Sequence, residues 1–375
     1  MARASKARAS KRTAERALRF PPAPPGLTGR SVELGTLRRT IEAAAPTRVA
    51  LVGTGGSGKS VLAAALGHEM SAYFGGRLDW FRVGAWDFYT LTEMLALRFG
   101  TPRGDERVDV LRSYFAAGER RLVVLDNHED DRAMARLLDA FSGTPVTFVI
   151  TARRCLLAGV FVFPVTAPLV MSGQSAFPRV ASLTELLRWS PLALDMANAI
   201  VSARAATVTE LERYLRDGGV TRVVAIEHED DLPEVALLVS WVFQRLDAPS
   251  RRMLAVLAYS EGDHVDAASL AMLGGVRRGA NARIAELVRF RLVQEPARGR
   301  FALHAVVRHI VRKLTEFPAE RFFEHYVRLL ERHPERLQLE QTHLFAAMDH
   351  AHRESDLGAM LRVQALLRHL DGEVG

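Results

Sequence analysis

The chain has 375 residues, 48% of them hydrophobic and 25% charged, which is the composition of a soluble globular protein with two or three hydrophobic cores. It has no apolar run long enough to span a bilayer and no signal-peptide core, and its single cysteine, Cys155, excludes an internal disulfide. The net charge of +7 comes mostly from residues 1–20, so a strongly basic surface over the whole body is excluded. We therefore expect a multidomain cytoplasmic protein without a membrane partner.

Residues 1–25 are expected to form a basic disordered tail and a stiff linker, because seven basic residues precede the sequence Pro-Pro-Ala-Pro-Pro at 21–25. Such a tail is either a solvated arm or a contact for nucleic acid or another anionic partner. An organelle transit peptide has a similar composition. The folded body is expected to begin near Leu27.

The most specific motif is a glycine-rich loop between an apolar strand, Arg48–Val52, and a helix with an apolar periodicity from Val61. It matches the pattern G-x-x-x-x-G-K-[ST]. Its glycines let the backbone wrap N–H groups around an anion at the N-terminus of the helix, while Lys59 reaches the β- and γ-phosphates and Ser60 ligates Mg²⁺. The candidate nucleotide-binding residues of the loop are Gly53, Gly55, Gly56, Ser57, Gly58, Lys59, Ser60 and Val61.

Strands alternate with helices through residues 26–170, which predicts a P-loop nucleotide-binding domain built on a doubly wound parallel sheet. The buried strand that begins at Arg121 ends in Asp126, at the edge where such sheets bind ligands, so we expect Asp126 to hold Mg²⁺ together with Ser60. The strand that begins at Val146 leads to Arg153, which we expect to sense the γ-phosphate. The candidate catalytic residues are therefore Lys59, Asp126 and Arg153.

The remainder of the chain is predicted to be mostly helical. Residues 171–233 are expected to form a helical domain, and residues 234–316 a winged-helix domain of three helices and a hairpin. Residues 317–375 have the amphipathic pattern of the first units of an α-helical repeat array, similar to tetratricopeptide repeats. The predicted helices include Leu183–Trp189, Pro191–Ala203, Val208–Arg216, Trp241–Leu246, Arg251–Tyr259, Val265–Leu273 and Ala280–Phe290.

The order of these motifs resembles the NB-ARC group of STAND-class signal-transducing P-loop NTPases, over about residues 26–316. Leu27-Thr28-Gly29-Arg30 resembles the motif whose backbone meets the adenine, and Thr151-Ala152-Arg153 resembles the Thr-Thr-Arg sensor. Pro191-Leu192-Ala193-Leu194 is similar to Gly-Leu-Pro-Leu-Ala, whose proline packs on the nucleotide. Leu303-His304-Ala305 stands where the family has Met-His-Asp, whose histidine reaches the β-phosphate of ADP. The resemblance thus adds to the candidate ATP/ADP-binding residues Thr28, Gly29, Arg30, Pro191 and His304.

The resemblance implies a molecular switch that is locked by ADP at rest and forms a homo-oligomer after exchange for ATP. Asn127 replaces the second acid of many members and Ala305 replaces the aspartate beside the histidine, so slow ATP hydrolysis at most is expected. A protein partner or effector is implied as well. The resemblance is compatible with transcription regulation and with antiviral defence as the output. It is also compatible with a complete chain and with a truncated one.

The strongest alternative is a DNA-acting AAA+ ATPase, such as an initiator or helicase loader, because that class also joins an α/β P-loop domain of this kind to a winged helix. Nucleic acid would then contact the winged helix, through Arg283, Arg289 and Arg291, or the basic tail. Against this alternative, Asn127 stands where an acid is expected. A small-molecule kinase is less favoured, because the sequence shows no second substrate site.

Overall fold

The structure, a computed structural model, describes residues 20–24, 30–44, 46–84, 86–102, 106–166, 177–217, 232–260 and 264–372. By its contacts the chain divides into two compact units. The first comprises the chain up to Gly53, Lys59–Val165 and the chain from Tyr326 onward, and the second comprises Thr54–Gly58 and Thr166–His325. The predicted tail at residues 1–19 and the candidates Thr28 and Gly29 lie outside the described residues.

A five-stranded parallel sheet forms the centre of the first unit, with strand order β2-β3-β4-β1-β5. Every residue of β4 is buried, as are residues 122–126 of β3, which is the pattern of parallel strands covered by helices on both faces. Strand β4 therefore separates the strand before the phosphate loop from the strand that carries Asp126. The strands are β1 (Arg48–Val52), β2 (Leu78–Arg82), β3 (Arg121–His128), β4 (Val146–Ala152) and β5 (Phe161–Pro164).

Two hydrophobic clusters cover the two faces of this sheet. Val49 of β1 belongs to one cluster and Ala50 to the other, as the alternation of side chains along a strand requires. The first cluster takes in α1 (Ser31–Ala43) and α2 (Lys59–Glu69), and the second takes in the three helices that follow along the chain. This arrangement confirms the predicted doubly wound α/β fold. Those three helices are α3 (Phe88–Phe99), α4 (Arg107–Ala117) and α5 (Asp131–Ala140).

Phe20 belongs to the folded body, although the sequence predicts that the body begins near Leu27. The Phe20 ring is buried in the cluster of α1 and α2 and makes edge contacts with His68 and Trp80. Gly67 permits this, because a Cβ at that position would collide with the ring. Phe20 thus anchors the start of the proline-rich linker to α2, together with a hydrogen bond of 2.7 Å between His68 Nε2 and the Pro21 carbonyl.

The second unit holds the helical segment and the winged helix. In chain order its first elements are a 3₁₀ turn (Pro178–Leu183), α6 (Pro191–Ser202), α7 (Val208–Arg216) and α8 (Pro233–Arg245). The elements that follow are α9 (Ala248–Tyr259), β6 (Val265–Asp266), α10 (Ala267–Leu273), α11 (Ala280–Arg289), β7 (Val293–Ala297), β8 (Arg300–Leu303) and α12 (Ala305–Leu314).

Helices α9, α10 and α11 together with the antiparallel sheet β6-β8-β7 make a winged helix. Gly299 turns the chain between β7 and β8 with a φ of 75°, a conformation that glycine adopts without strain. The predicted combination of three helices and a hairpin is therefore confirmed.

The chain ends in three helices, α13 (Ala319–Arg332), α14 (Leu337–Arg353) and α15 (Leu357–Gly372). In the first unit α14 packs against both α15 and α3, and its Phe345 enters the cluster formed by α3, α4 and α5. A tetratricopeptide-like array remains a prediction for this segment.

Several elements differ from those predicted. The expected helix Leu183–Trp189 is wrong: the 3₁₀ turn ends at Leu183, and Arg188 and Trp189 have φ values of 49° and 57°, which no right-handed helix accommodates. Helix α5 and strand β5 were not predicted. The helix expected at Trp241–Leu246 starts at Pro233, and the one expected from Val265 starts at Ala267, after a two-residue strand.

Among the residues that the structure describes, none of the helices combines the length and the apolar character needed to cross a bilayer.

Candidate functional site

The glycine-rich loop connects β1 to α2 in the conformation that its glycines allow. Gly56 and Gly58 have φ values of 75° and 90°, in the region that other residues rarely adopt. The backbone N–H of Ser57 donates to the carbonyl of Thr54 at 3.3 Å. Within the second unit, the Leu232 side chain lies on Gly56, where its Cδ1 would be 2.7 Å from an added Cβ. A side chain at position 56 is therefore excluded by backbone strain and by this neighbour.

Lys59 lies at the first position of α2. Its Nζ donates to the carbonyl of Gly53 at 2.7 Å, while the N–H of Gly53 donates to the carbonyl of Ala152 at 3.3 Å. The ammonium group therefore lies beside the end of β1, at the carboxyl edge of the sheet.

Asp126 is the centre of a hydrogen-bonded group at the same edge. Its Oδ1 accepts from the Ser60 hydroxyl at 2.7 Å and from the Thr151 hydroxyl at 2.6 Å, and the residue is only 8% exposed. The strand order explains the contact, because β4 lies beside β3 and brings Thr151 next to Asp126. The two residues predicted to hold Mg²⁺ are thus in direct contact.

Thr151 was not among the candidate site residues. Besides donating to Asp126, its hydroxyl accepts from the backbone N–H of Asn127 at 2.9 Å. In the sequence Thr151 begins the segment that resembles the sensor motif and is a polar residue near the end of a mostly apolar strand, but neither feature points to a contact with Asp126. The spacing of residues along the chain does not show which residue Thr151 contacts on the adjacent strand.

Asn127 is the second-last residue of β3, and Arg153 directly follows β4. Asn127 has a φ of 60°, and its Nδ2 donates to Glu129 Oε1 at 2.8 Å, so its side-chain amide turns along its own loop. Arg153 is exposed directly after β4. An amide near the end of β3 and a guanidinium just after β4 thus belong to adjacent strands of the sheet.

The other candidates of the first unit lie at helix ends. Arg30 precedes α1, is 4% exposed and forms an ion pair with Glu33 in the first turn. Val61, in the first turn of α2, has an exposed side chain.

Pro191 and His304 each begin a helix of the second unit. Pro191 is the first residue of α6, and the hydroxyl of Ser190 before it accepts from the N–H of Ala193 at 3.3 Å. His304 caps α12, with its Nδ1 accepting from the N–H of Val306 at 3.3 Å. Each residue has an ordinary structural role at a helix start, Pro191 as the first helical residue and His304 as the N-cap.

Glu234, in the first turn of α8, is a further candidate that the sequence did not indicate. The residue is 4% exposed, and burial raises the pKa of its carboxyl, although its own backbone N–H and the charge of Arg188 act in the opposite direction. An acidic residue after a proline at a helix start is common in sequences, so only the burial distinguishes it.

The strand order, the glycine-rich loop between β1 and α2, and a buried carboxylate at the end of β3 in contact with Ser60 define a P-loop NTPase fold. No family model matches the chain. A search of curated proteins finds the regulatory protein AfsR of Streptomyces griseus, 26% identical over 333 residues, which are 79% of this chain and 33% of that protein. The chain thus spans about a third of the length of this relative.

A search of solved structures finds ORC1 of Aeropyrum pernix in complex with DNA, with 16% identity and a TM-score of 0.33 over 78% of this chain and 94% of that one. Cdc6p of Pyrobaculum aerophilum has 13% identity and a TM-score of 0.35 over 78% and 97%. AMPPCP-bound DnaA of Aquifex aeolicus has 14% identity and a TM-score of 0.27 over 81% and 93%.

Proposed function

We propose that this protein is an ATP/ADP-binding molecular switch of the STAND class, NB-ARC group, that hydrolyses ATP slowly at most. The observation that supports the proposal most directly is the hydrogen bond between Ser60 and Asp126 behind the phosphate loop. A serine hydroxyl beside a carboxylate is the pair of oxygen ligands that P-loop proteins use for Mg²⁺. Ser60 and Asp126 would hold the ion, which supplies charge neutralisation between the phosphates.

The loop fits a polyphosphate. Positive φ at Gly56 and Gly58 frees backbone N–H groups from intrahelical bonding, and the N-terminus of α2 favours negative charge. Lys59 is the cation of the loop, and it would exchange its bond to the Gly53 carbonyl for the phosphates. Arg153 at the end of β4 would respond to a third phosphate.

Slow turnover is favoured by the residue after Asp126. An amide does not accept a proton from water, and the Asn127 side chain is turned toward Glu129. A weak catalyst that keeps its nucleotide for a long time is suited to switching. Its cofactors would be ATP or ADP with Mg²⁺.

The switch itself would operate through the second unit. In the resting state ADP would be held by the loop, by Pro191 and by His304, and exchange for ATP would favour a form that assembles into a homo-oligomer. A nucleotide shifts such an equilibrium only by its difference in affinity for the two forms. The AfsR relative is named a regulatory protein, which favours a regulatory output over antiviral defence.

The first experiment is to identify the nucleotide released by denaturing the purified protein, and to measure its mass in solution with ADP and with ATP plus Mg²⁺. We expect ADP and a monomer at rest, and a larger assembly with ATP. Lys59→Ala should lose the nucleotide, because it removes the phosphate-binding cation, whereas the control Lys313→Ala, the other lysine among the described residues, should keep it. His304→Ala should assemble at lower ATP concentration.

Unchanged nucleotide content in Lys59→Ala would contradict nucleotide binding at this loop. Rapid ATP turnover without any change in mass would instead indicate a working ATPase and contradict the switch.

A further inference from the structure

Helix α8 connects the three segments of the second unit that are expected to meet the nucleotide. Leu232 at its N-terminus lies on Gly56 of the phosphate loop. The helix packs against α6, which begins at Pro191, and against α12, which begins after His304. All of residues 234–242 are buried, so α8 forms the core of the second unit.

Glu234 stands at this end of α8 with an unusual carboxyl group. Its Oε2 is buried and has no hydrogen-bond partner among the described residues. The helix that carries it packs against α6, and the charge of Arg188, just before α6, lowers the pKa of the carboxyl against the larger effect of burial. Leaving a buried acceptor unsatisfied costs stability, and a donor that arrives with a ligand would remove that cost.

A nucleotide offers few donors to such an acceptor. Its phosphates are acceptors and repel a carboxylate, whereas its ribose hydroxyls and the adenine amino group donate hydrogen bonds. Ribose is the part of the nucleotide next to the phosphates, and Leu232, two residues before Glu234, lies on the phosphate loop. The ribose is therefore nearer to this end of α8 than the adenine.

We propose that Glu234 binds the ribose of the nucleotide by accepting a hydrogen bond from one of its hydroxyl groups. This inference rests on the proposed nucleotide binding and adds a specificity-determining residue to it. The bond is charge-assisted, and bonds of that kind contribute enough to change affinity by roughly tenfold or more. The bond also makes α8, which packs against α6 and α12, sensitive to whether the nucleotide is bound.

The test measures the affinity of the full chain for ADP, 2′-deoxy-ADP and 3′-deoxy-ADP by calorimetry. The wild-type protein should bind one of the deoxy analogues roughly tenfold more weakly than ADP. Glu234→Leu should bind ADP about tenfold more weakly and should no longer distinguish it from that analogue. Glu234→Gln keeps an acceptor oxygen and should retain part of the discrimination.

The matched control is Glu185→Leu, which removes the same charge from an exposed position of the second unit and should leave all affinities unchanged. Thermal unfolding verifies that each variant is folded. Glu234→Leu should be at least as stable as the wild type, because it removes a buried carboxylate.

The outcomes separate this inference from the proposed function. A wild-type protein that binds no ADP contradicts both. Equal binding of ADP and both analogues by the wild type, or discrimination that persists in Glu234→Leu, overturns the role of Glu234 while nucleotide binding stands. Tighter ADP binding by Glu234→Leu would also overturn it, because the carboxylate would then oppose the nucleotide.

Discussion

At the scale of single residues, the candidate site depends on one carboxylate oxygen. Asp126 Oδ1 accepts two hydroxyl hydrogen bonds, one from α2 and one from β4, which fix the carboxylate at the end of β3. Ser60 and Asp126 could be predicted from the sequence because the phosphate-loop pattern specifies their chemistry. Thr151 could not, because its contribution comes from a neighbouring strand, and that neighbour is set by the strand order.

Thr151→Val tests this arrangement. Valine has the shape of threonine without its hydroxyl, so the variant leaves the N–H of Asn127 without its acceptor and Asp126 with one donor fewer. We expect a loss of about 1–3 kcal/mol in the free energy of unfolding, measured with urea. Thr147→Val, equally buried on the same strand but without a bond to Asp126, is the control and should cost less. Equal losses would show that the hydrogen bonds of Thr151 add nothing particular to stability.

At the scale of the elements, sequence periodicity predicted the strands and most helices of the sheet unit, because their apolar faces repeat regularly. The periodicity failed where the local backbone geometry breaks a helical pattern and where an element is very short. The positive φ values of Arg188 and Trp189 break a segment with a helical pattern, and β5 has only four residues, most of them exposed. The buried acid of α8 has no sequence signal, since burial there comes from the packing of α6 and α12.

The side chain of Asp247 stabilises the start of α9. Asp247 accepts from the N–H of Ser250 at 2.8 Å and forms an ion pair with Arg283 of α11. These contacts, the Ser250 bonds first, lower the pKa of Asp247 to about 2. Because the folded-state pKa lies below the ordinary value of 3.8, this stabilisation is present above that value and is lost as the pH falls toward 2.

Asp247→Ala should therefore lower the free energy of unfolding by about 1 kcal/mol at neutral pH, with a smaller loss near pH 2. Asp247→Asn retains a capping oxygen but not the ion pair, so its free energy of unfolding should lie between those of the wild type and Asp247→Ala. Chemical unfolding followed by circular dichroism across this pH range is the measurement. An alanine variant with a loss that does not depend on pH would contradict the role of the charge.

At the scale of the whole molecule, the question is whether the winged helix acts on DNA. Each of the three arginines that this alternative needs has an acidic partner within the second unit. Arg283 pairs with Asp247, Arg289 with Glu286 and Arg291 with Asp195. For the winged helix to bind DNA through these arginines, phosphates would have to replace their acidic partners.

We expect a form of the protein that lacks residues 1–19, and so keeps the buried Phe20, to bind duplex DNA only weakly, in the range of nonspecific binding, roughly 10⁻⁴ to 10⁻⁶ M at physiological salt. Fluorescence anisotropy at several salt concentrations, with the full chain for comparison, measures this. If the shortened form bound DNA tightly and with a steep salt dependence, the winged helix would be a DNA-binding domain and the switch would lose its main support against that alternative.

The strand order also has a consequence for biosynthesis. In the described sheet, β1 pairs only with β4 and β5, so the strand that leads into the phosphate loop has no partner until the ribosome has made the chain beyond Val146. Both edges of an almost wholly apolar strand stay open during that interval, and open edges invite pairing with other chains. Nascent chains in which β4 has not yet left the ribosome should therefore be strong clients of chaperones, and chains in which both β4 and β5 have emerged much weaker ones.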